Sequence, residues 1–270
     1  MWYNHKNKNI MIDSFFFDFD GTLQGFKNHE LSESTRDALY KLKQNNKKIY
    51  IATGRNLSDM PQSIFDIGFD GYINNNGGVC SDIDRNIFFT EFINPSDIEA
   101  LLEYDKQNPV AFSYMSTENP FSINRVNENI EKSFKHFGLK VPEVKNPREL
   151  PKDNIIQMNL FVNEEEEKFL LENVLKNSVA TRWIEYFADI NPQDINKMEG
   201  IKRIAERDNL DLSKTMSFGD GGNDIKMLQG CKIGVAMGNA NDNVKEIADH
   251  ITSSVDEHGV WNALKHFNFI

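Results

Sequence analysis

The feature that most narrows the fold is an abrupt change at residue 18. Ile12 to Phe17 is an apolar run broken only by Asp13 and Ser14, and it stops at Asp18-Phe19-Asp20-Gly21-Thr22-Leu23. A short apolar run bounded by a turn signal reads as a strand of a buried parallel sheet. Two carboxylates therefore stand just past the C-terminal end of a strand, the edge at which open parallel sheets bind ligands. The residues that follow fit the same architecture. Ser32 caps a helix reaching about Asn45, with Leu39 and Leu42 on its inner face, and Lys48 to Ala52 is a second strand. A short helix follows Asn56, with Pro61 tolerated only in its first turn. Tyr72 and Ile73 form a third strand ending at Asn74. Strand, helix, strand, helix, strand predicts an α/β core with a doubly wound parallel sheet.

The middle of the chain has a different rhythm. Asn86–Phe92, Val110–Met115, Phe121–Asn124 and Ile155–Val162 are strand-like, and Pro95–Gln107, Val126–Gly138 and Glu164–Lys176 are helical. Strands here come partly as neighbours, which predicts an α+β unit with an antiparallel sheet. The acidic run Glu164–Glu167 reads as a solvated helix N-terminus favoured by the helix dipole. Asn146–Pro151 reads as a loop. Parallel α/β character is expected again after about Phe187: a helix at Glu199–Arg207, a strand at Thr215–Phe218, a helix at Asp224–Gln229, a strand at Ile233–Ala236, and helices at Val244–Ala248 and Val260–Phe267. The expected organisation is a core built from residues 1–82 and 188–270, with 83–187 inserted as a second domain.

Composition removes several function classes. The chain has 270 residues, 41 acidic and 30 basic side chains and a formal net charge of −11. That balance argues against nonspecific binding to nucleic acid or to an anionic membrane. It also means that an anionic substrate needs a local cation. No apolar run approaches the roughly 18–20 residues of a membrane span, and Met1 to Ile10 is polar without a signal-peptide core. Cys80 and Cys231 cannot make a disulfide framework, so free thiols in a reducing cytoplasm are expected. His29, His136, His250 and His258 lack metal-ligand spacing. No obligate protein partner is indicated.

Four segments carry chemistry. Asp18 and Asp20 form the first, and two such charges together require a cation, which for oxygen ligands is a hard metal ion. Gly21 allows the sharp turn after them, and backbone N–H groups in such a turn face an anion. The second is Phe218-Gly219-Asp220-Gly221-Gly222-Asn223-Asp224, again after a strand. A helix start that carries acids fits a divalent cation held between this loop and the Asp18 loop, although alone it is equally a calcium site or a plain turn. The third is Ala52-Thr53-Gly54-Arg55, with a hydroxyl, an approachable backbone and a guanidinium suited to an oxyanion. Alone it is more often a turn with a surface Arg. The fourth is Lys197 before a helix, in isolation a solvated lysine and in company the cation an anionic substrate requires.

These segments, in this order, resemble the haloacid dehalogenase-like superfamily of phosphatases. The resemblance covers about Ile10 to Gly78 and Phe187 to Ile270. The insert after the third strand, Asn75-Asn76-Gly77-Gly78, and Gly234-Val235-Ala236-Met237-Gly238-Asn239-Ala240 look like the Cof-type branch, subclass IIB. Lys197-Met198-Glu199-Gly200 departs from the family, which more often has Gly straight after the Lys. The resemblance implies a Rossmann-like core with an inserted cap, and a Mg²⁺-dependent phosphatase acting on a small phosphorylated metabolite, with sugar phosphates the leading class. It implies Asp18 as nucleophile and Asp20 as general acid and base. It implies Mg²⁺ held by Asp18, the Asp20 carbonyl and Asp220, with Asp224 orienting its waters, and phosphoryl contacts from Thr53, Lys197, Gly21, Gly54, Arg55 and Asn223. In the insert, Arg125, Lys132 and Arg182 are charged candidates and Phe112, Tyr114 and Trp183 aromatic ones, each more commonly a surface or core residue. Two rival readings stay open. One is a phosphotransferase or phosphomutase on the same core. The other is a non-catalytic phospho-acceptor or metabolite-binding module, which would not need Asp20.

Overall fold

The computed structural model describes residues 11–25, 30–116, 121–136, 140–149 and 152–270. The polar segment 1–10, His29, Gly138 and Pro151, on which expectations were placed above, lie outside the described residues. Along the chain come β1 (Ser14–Phe17), α1 (Glu33–Gln44), β2 (Lys48–Ala52), α2 (Gln62–Phe65) and β3 (Gly71–Asn74). Then follow β4 (Val79–Asp82), β5 (Ile87–Thr90), α3 (Pro95–Tyr104), β6 (Phe112–Ser116), β7 (Ser122–Ile123), α4 (Glu128–His136), β8 (Ile155–Leu160), α5 (Glu164–Asn173), β9 (Ser178–Ile184) and β10 (Phe187–Pro192). The last elements are α6 (Lys197–Asp208), β11 (Thr215–Gly219), α7 (Ile225–Gly230), β12 (Ile233–Ala236), α8 (Asp242–Ile247), β13 (His250–Ile251) and α9 (Gly259–His266). They divide into two compact units.

The first unit contains the described residues as far as Ala52, then Pro61–Tyr72 and Ile201–Ile270. Its sheet runs β13-β12-β11-β1-β2, with Gly71 and Tyr72 of β3 at the far side of β2. The pairs β1–β2, β1–β11, β11–β12 and β12–β13 are all parallel. This is the α/β sheet the sequence predicts. β1 is buried along its whole length because strands flank it on both sides and its side chains are apolar on both faces. Phe17 stacks on Phe218 and Phe16 on Tyr50, each with ring centroids 4.9 Å apart. The β1–β11 register pairs Phe17 with Phe218, so Asp18 and Gly219 stand side by side at the sheet edge. Ser32 caps α1 by accepting from the Thr35 backbone N–H, and Leu39 and Leu42 are buried as expected. The helix expected after Asn56 is split into a 3-10 turn at Leu57–Asp59 and α2, because Pro61 lacks an N–H and sits at the α2 N-cap.

The second unit contains Thr53–Met60 and Ile73–Gly200. Here Ile73 and Asn74 of β3 are followed across the sheet by β4 and then β5, which pairs with β4 antiparallel. A five-stranded sheet, ordered β7-β6-β8-β10-β9, forms the rest, and every one of its pairings is antiparallel. One face carries Phe112, Tyr114, Met158, Leu160 and Ile190, packed with Ile98, Leu101 and Leu102 of α3 and Leu170 of α5. The alternating positions Ser113, Gln157, Asn159, Asp189 and Asn191 give a second face that is polar and yet buried. β4, β9 and β10 were not anticipated. Parallel character was expected from about Phe187, whereas Phe187–Pro192 is an antiparallel strand between β8 and β9. Its alternation of Ala188 and Ile190 with Asp189 and Asn191 is a strand period, disguised by two residue types that usually mark turns.

Close approach at Gly234, in β12, supplies a test of the packing in the first unit. A Cβ there would meet the Leu228 carbonyl oxygen of α7 at 2.3 Å, which is main chain and cannot swing aside. Gly234→Ala is expected to destabilise the protein by about 1–3 kcal/mol, read as a lower urea midpoint at unchanged slope. An unchanged midpoint would show that α7 and β12 are packed less tightly than described.

Candidate active site

The parallel neighbours β1 and β11 aim two loops the same way, and three carboxylates converge there. Asp18, Asp220 and Asp224 each present an oxygen, and these oxygens all lie within 4.8 Å of one another. Asp18 is 6% exposed and Asp224 1%. The Asp18 backbone N–H donates to the Phe218 carbonyl at 2.9 Å, which continues the sheet one residue beyond β1.

The loop after β11 is organised around Asp224. Its Oδ2 accepts from the backbone N–H groups of Asp220 and Gly221, both at 2.9 Å. A Cβ at Gly219 would lie 2.4 Å from the Asp224 carboxyl carbon, so the turn closes only over glycine. Across from it, Gly21 has φ +83° and a Cβ there would sit 2.2 Å from Asp220 Oδ2. Both constraints bind this position: only glycine takes that φ readily and only hydrogen leaves room for the carboxylate. Asp220 is held from two sides. The Thr22 hydroxyl donates to Oδ1 at 3.1 Å, and the Asn239 amide donates to Oδ2 at 3.1 Å and to the Gly21 carbonyl at 2.9 Å. Asn239 is itself aligned by the Val255 N–H, which donates to its Oδ1 at 2.9 Å.

Like charges this close are costly without a counter-charge. An all-oxygen donor set of carboxylates suits a hard divalent cation such as Mg²⁺. The residues present therefore fit the ion that the sequence implies. Asp20 is not among the three carboxylates that converge. Asn223 is half-buried on the same loop as Asp220.

Thr53, Gly54, Arg55 and Lys197 belong to the second unit. The Thr53 N–H donates to the Ile73 carbonyl at 2.8 Å, its carbonyl accepts from the Asn76 N–H at 3.0 Å, and its hydroxyl oxygen accepts from the Arg55 N–H at 3.1 Å. Arg55 reaches the Asp59 carbonyl at 3.3 Å. Asn75 and Asn76 take φ of 50° and 54°, the left-handed region that Asn tolerates, and so make the turn toward β4. Lys197 opens α6 and is 0% exposed. The Asn196 carboxamide caps that helix, accepting from the N–H groups of Met198 and Glu199. Gly200 lies against Ile73 and Gly77, where a Cβ would meet Ile73 Cγ2 at 2.3 Å.

Asp189 of β10 lies against the Thr53 loop, where a Cβ on Gly54 would stand 3.5 Å from its Oδ2. Its Oδ2 accepts from Asn76 Nδ2 at 3.0 Å and its Oδ1 from Asn159 Nδ2 at 2.5 Å. Burial pushes its carboxyl up to about 6, opposed by hydrogen bonds from Asn76, Gln157 and Asn159 and by the charge of Lys197.

Sequence reasoning assigned no role to Thr22, Asn239, Asn76 or Asp189. Asn239 and Asn76 sit in segments that served only as family markers, and Thr22 within the first motif. Asp189 had no signal at all. The charged candidates of the insert are engaged elsewhere: Arg125 with Asp105 at 2.5 Å, Arg182 with Glu167 at 2.6 Å and Lys132 with Glu128 at 2.8 Å. Phe112 and Tyr114 are core residues, and Trp183 lies in β9.

Comparison with known proteins agrees with this geometry. A family model described as haloacid dehalogenase-like hydrolase matches residues 15–264. The putative phosphatase YkrA of Bacillus subtilis (strain 168) is 29% identical over 255 residues, 94% of this chain and 97% of that protein. From the same organism, 5-amino-6-(5-phospho-D-ribitylamino)uracil phosphatase YcsE is 26% identical over 97% of this chain and 98% of its own. Among solved structures, the phosphatase BT1666 of Bacteroides thetaiotaomicron superposes with a TM-score of 0.91 at 33% identity, covering 99% of both chains. The subclass IIB sugar phosphatase BT4131 gives 0.85 at 35% identity, over 96% of this chain and 100% of that one.

The raised carboxyl of Asp189 has a consequence for stability. An unfolded Asp titrates near 3.9, so between that value and about 6 the folded state holds the extra proton. Stability contributed by this group is complete below about pH 4 and is lost as pH rises through about 6. Relative to Asp189→Asn, the wild type should lose on the order of 2–3 kcal/mol across that window and nothing further above it. Denaturant melts at a series of pH values check this. A gap that stays constant with pH would mean that the carboxyl is not shifted.

Proposed function

The chain belongs to the haloacid dehalogenase-like hydrolases, as a phosphomonoesterase of their subclass IIB, and from that premise we propose that it is a Mg²⁺-dependent hydrolase of a small phosphate monoester, with sugar phosphates the leading class, working through an aspartyl-phosphate. The observation that carries the reading is the convergence of Asp18, Asp220 and Asp224 at the ends of adjacent parallel strands. Mg²⁺ would be held by the Asp18 and Asp220 carboxylates and the Asp20 carbonyl, with Asp224 orienting its waters. Bound there, it would neutralise the carboxylates and the charge of the incoming phosphoryl group.

We assign the chemistry to residues of the first two motifs. A carboxylate oxygen of Asp18 attacks phosphorus as the ester P–O bond breaks. Asp20 gives its proton to the departing alkoxide, leaving phosphate on Asp18. Asp20, now a carboxylate, takes a proton from water as that water attacks phosphorus, and the Asp18–phosphorus bond breaks to release inorganic phosphate. One difficult displacement thus becomes two easier ones. Thr53 and Lys197 are assigned to the equatorial oxygens, where charge accumulates, each worth about 3–4 kcal/mol of the barrier in comparable sites. Gly21, Gly54, Arg55 and Asn223 are assigned to binding the phosphoryl group. The insert, residues 83–187, is assigned to selecting the organic part of the substrate. The names of the relatives, which include a sugar phosphatase and a phosphatase of a phosphoribityl compound, support a substrate of this class.

The deciding experiment is a panel of phosphorylated metabolites with Mg²⁺, scored by phosphate release. Isomerised sugar phosphate without release would identify a mutase, and binding without turnover a non-catalytic module. Asp18→Asn is expected to abolish turnover with the melting temperature preserved; retained activity would remove Asp18 as nucleophile. Asp20→Asn should slow alkyl phosphates far more than aryl esters with good leaving groups. Equal losses across leaving groups would contradict its role as acid.

A further inference from the structure

We propose that Asp189 is a positioning residue for Lys197, its carboxylate supplying the opposite charge that fixes the buried ammonium. The inference rests on the assignment of Lys197 to phosphoryl binding. Asp189 and Lys197 are both in the second unit, on β10 and at the start of α6.

Lys197 is 0% exposed and Asp189 5%. Each charge is costly alone in such a place, and each lowers the cost of the other. The remaining groups that grip the carboxylate are neutral: Asn76 on the turn after β3, and Gln157 and Asn159 on β8. They orient its oxygens without compensating its charge. Ser113 extends the chain by one more bond, its hydroxyl lying 2.7 Å from Asn159 Oδ1. Asn159 therefore has its oxygen toward Ser113 and its nitrogen toward Asp189, a fixed orientation. Among the described residues, the neighbours of Asp189 on that face, Ser113, Gln157, Asn159 and Asn191, are uncharged. Burial works against a carboxylate on that face, raising its pKa to about 6. What it adds over an amide is a second acceptor oxygen, one for Asn76 and one for Asn159, together with charge, and Lys197 is a cation that acts on that charge.

A second observation ties the group to the phosphoryl-binding segments. A Cβ on Gly54 would stand 3.5 Å from Asp189 Oδ2 and 3.2 Å from Asn76 Oδ1. Gly77, next to Asn76, abuts the other segment: a Cβ there would meet the carbonyl oxygen of Asn196, the residue before Lys197, at 2.2 Å, so the Asn76–Asp189 pair adjoins both the Thr53 loop and the start of α6.

The test is a double-mutant cycle of Asp189→Asn and Lys197→Ala, read on the hydrolysis of p-nitrophenyl phosphate and on calorimetric binding of inorganic phosphate, both with Mg²⁺. If Asp189 acts through Lys197, Asp189→Asn should lower kcat about 10–100-fold with KM within about 3-fold, and should change kcat less than about 2-fold when Lys197 is already Ala. Asp189→Glu, which keeps the charge, should recover part of the loss. A full multiplicative loss in the Lys197→Ala background would make Asp189 a structural residue and overturn the proposal. So would a raised KM at unchanged kcat, the mark of a direct substrate contact. If the wild type hydrolyses nothing, the phosphatase assignment falls, and phosphate binding still decides the cycle. Asp189→Asn should weaken it about 10-fold with Lys197 present and not otherwise; equal weakening in both backgrounds, or none in either, rejects the proposal. Should Asp189→Asn lack a cooperative melt, Asp189→Ala replaces it in the cycle.

Discussion

The arrangement of the first unit follows from one awkward fact: Asp18, Asp220 and Asp224 crowd their negative charges into a largely buried space. Nothing in local propensity favours that. It is imposed by the parallel pairing of β1 with β11, whose register brings both loop starts to one edge. The flanking strands β2 and β12 bury the two central strands from either side, so the ends cannot splay to relieve the repulsion. A sheet this apolar holds the carboxylates where they would not gather by themselves, and the divalent ion proposed for the site is what makes the arrangement tolerable.

The loops around the trio show how closely the backbone is fitted to it. Asp224 has spent one carboxylate oxygen on two N–H groups of its own loop, which turns a charged side chain into part of the scaffold. Asp220 is the opposite case. Its oxygens are approached by a hydroxyl from the first loop and an amide from the loop after β12. Three successive strand ends thus converge on one carboxylate. The glycines at positions 21 and 219 are the complement of this crowding, since each leaves empty the space that a carboxylate next to it needs.

How much of this is legible in sequence depends on whether the residue types involved advertise their surroundings. β2 and β12 match their expected bounds, because short apolar runs between turn residues admit few other readings. The same logic singled out Asp18, directly after such a run, and the loop after another that carries Asp220 and Asp224. β10 escaped notice because Asp189, Asn191 and Pro192 resemble loop composition, and only the tertiary burial of a polar face explains them. Asn239 and Asp189 escaped for a related reason. Asn is common in turns, Asp on surfaces, and the partners that give each its function lie far away in the chain, at Gly21 and Asp220 for one and at Asn76 and Asn159 for the other.

The two units solve the problem of buried charge in different ways, and the difference bears on what each depends on. In the first, the three converging carboxylates have the same sign, and the ion proposed for the site would compensate them from outside the chain. In the second, Asp189 is met by neutral amides and by Lys197, so the compensation is built into the polypeptide. An amide-held carboxylate cannot be swapped for its neutral twin without turning a nitrogen of Asp189→Asn toward the nitrogen of Asn76 or of Asn159, a donor facing a donor. The geometry therefore selects a carboxylate at 189 twice over, once by charge and once by hydrogen-bond polarity. The charge argument runs through Lys197, whereas the polarity argument is indifferent to it. Only the part of the Asp189→Asn effect that vanishes with Lys197 belongs to the electrostatics, and the remainder measures how rigidly the polar face of the second sheet is knitted together.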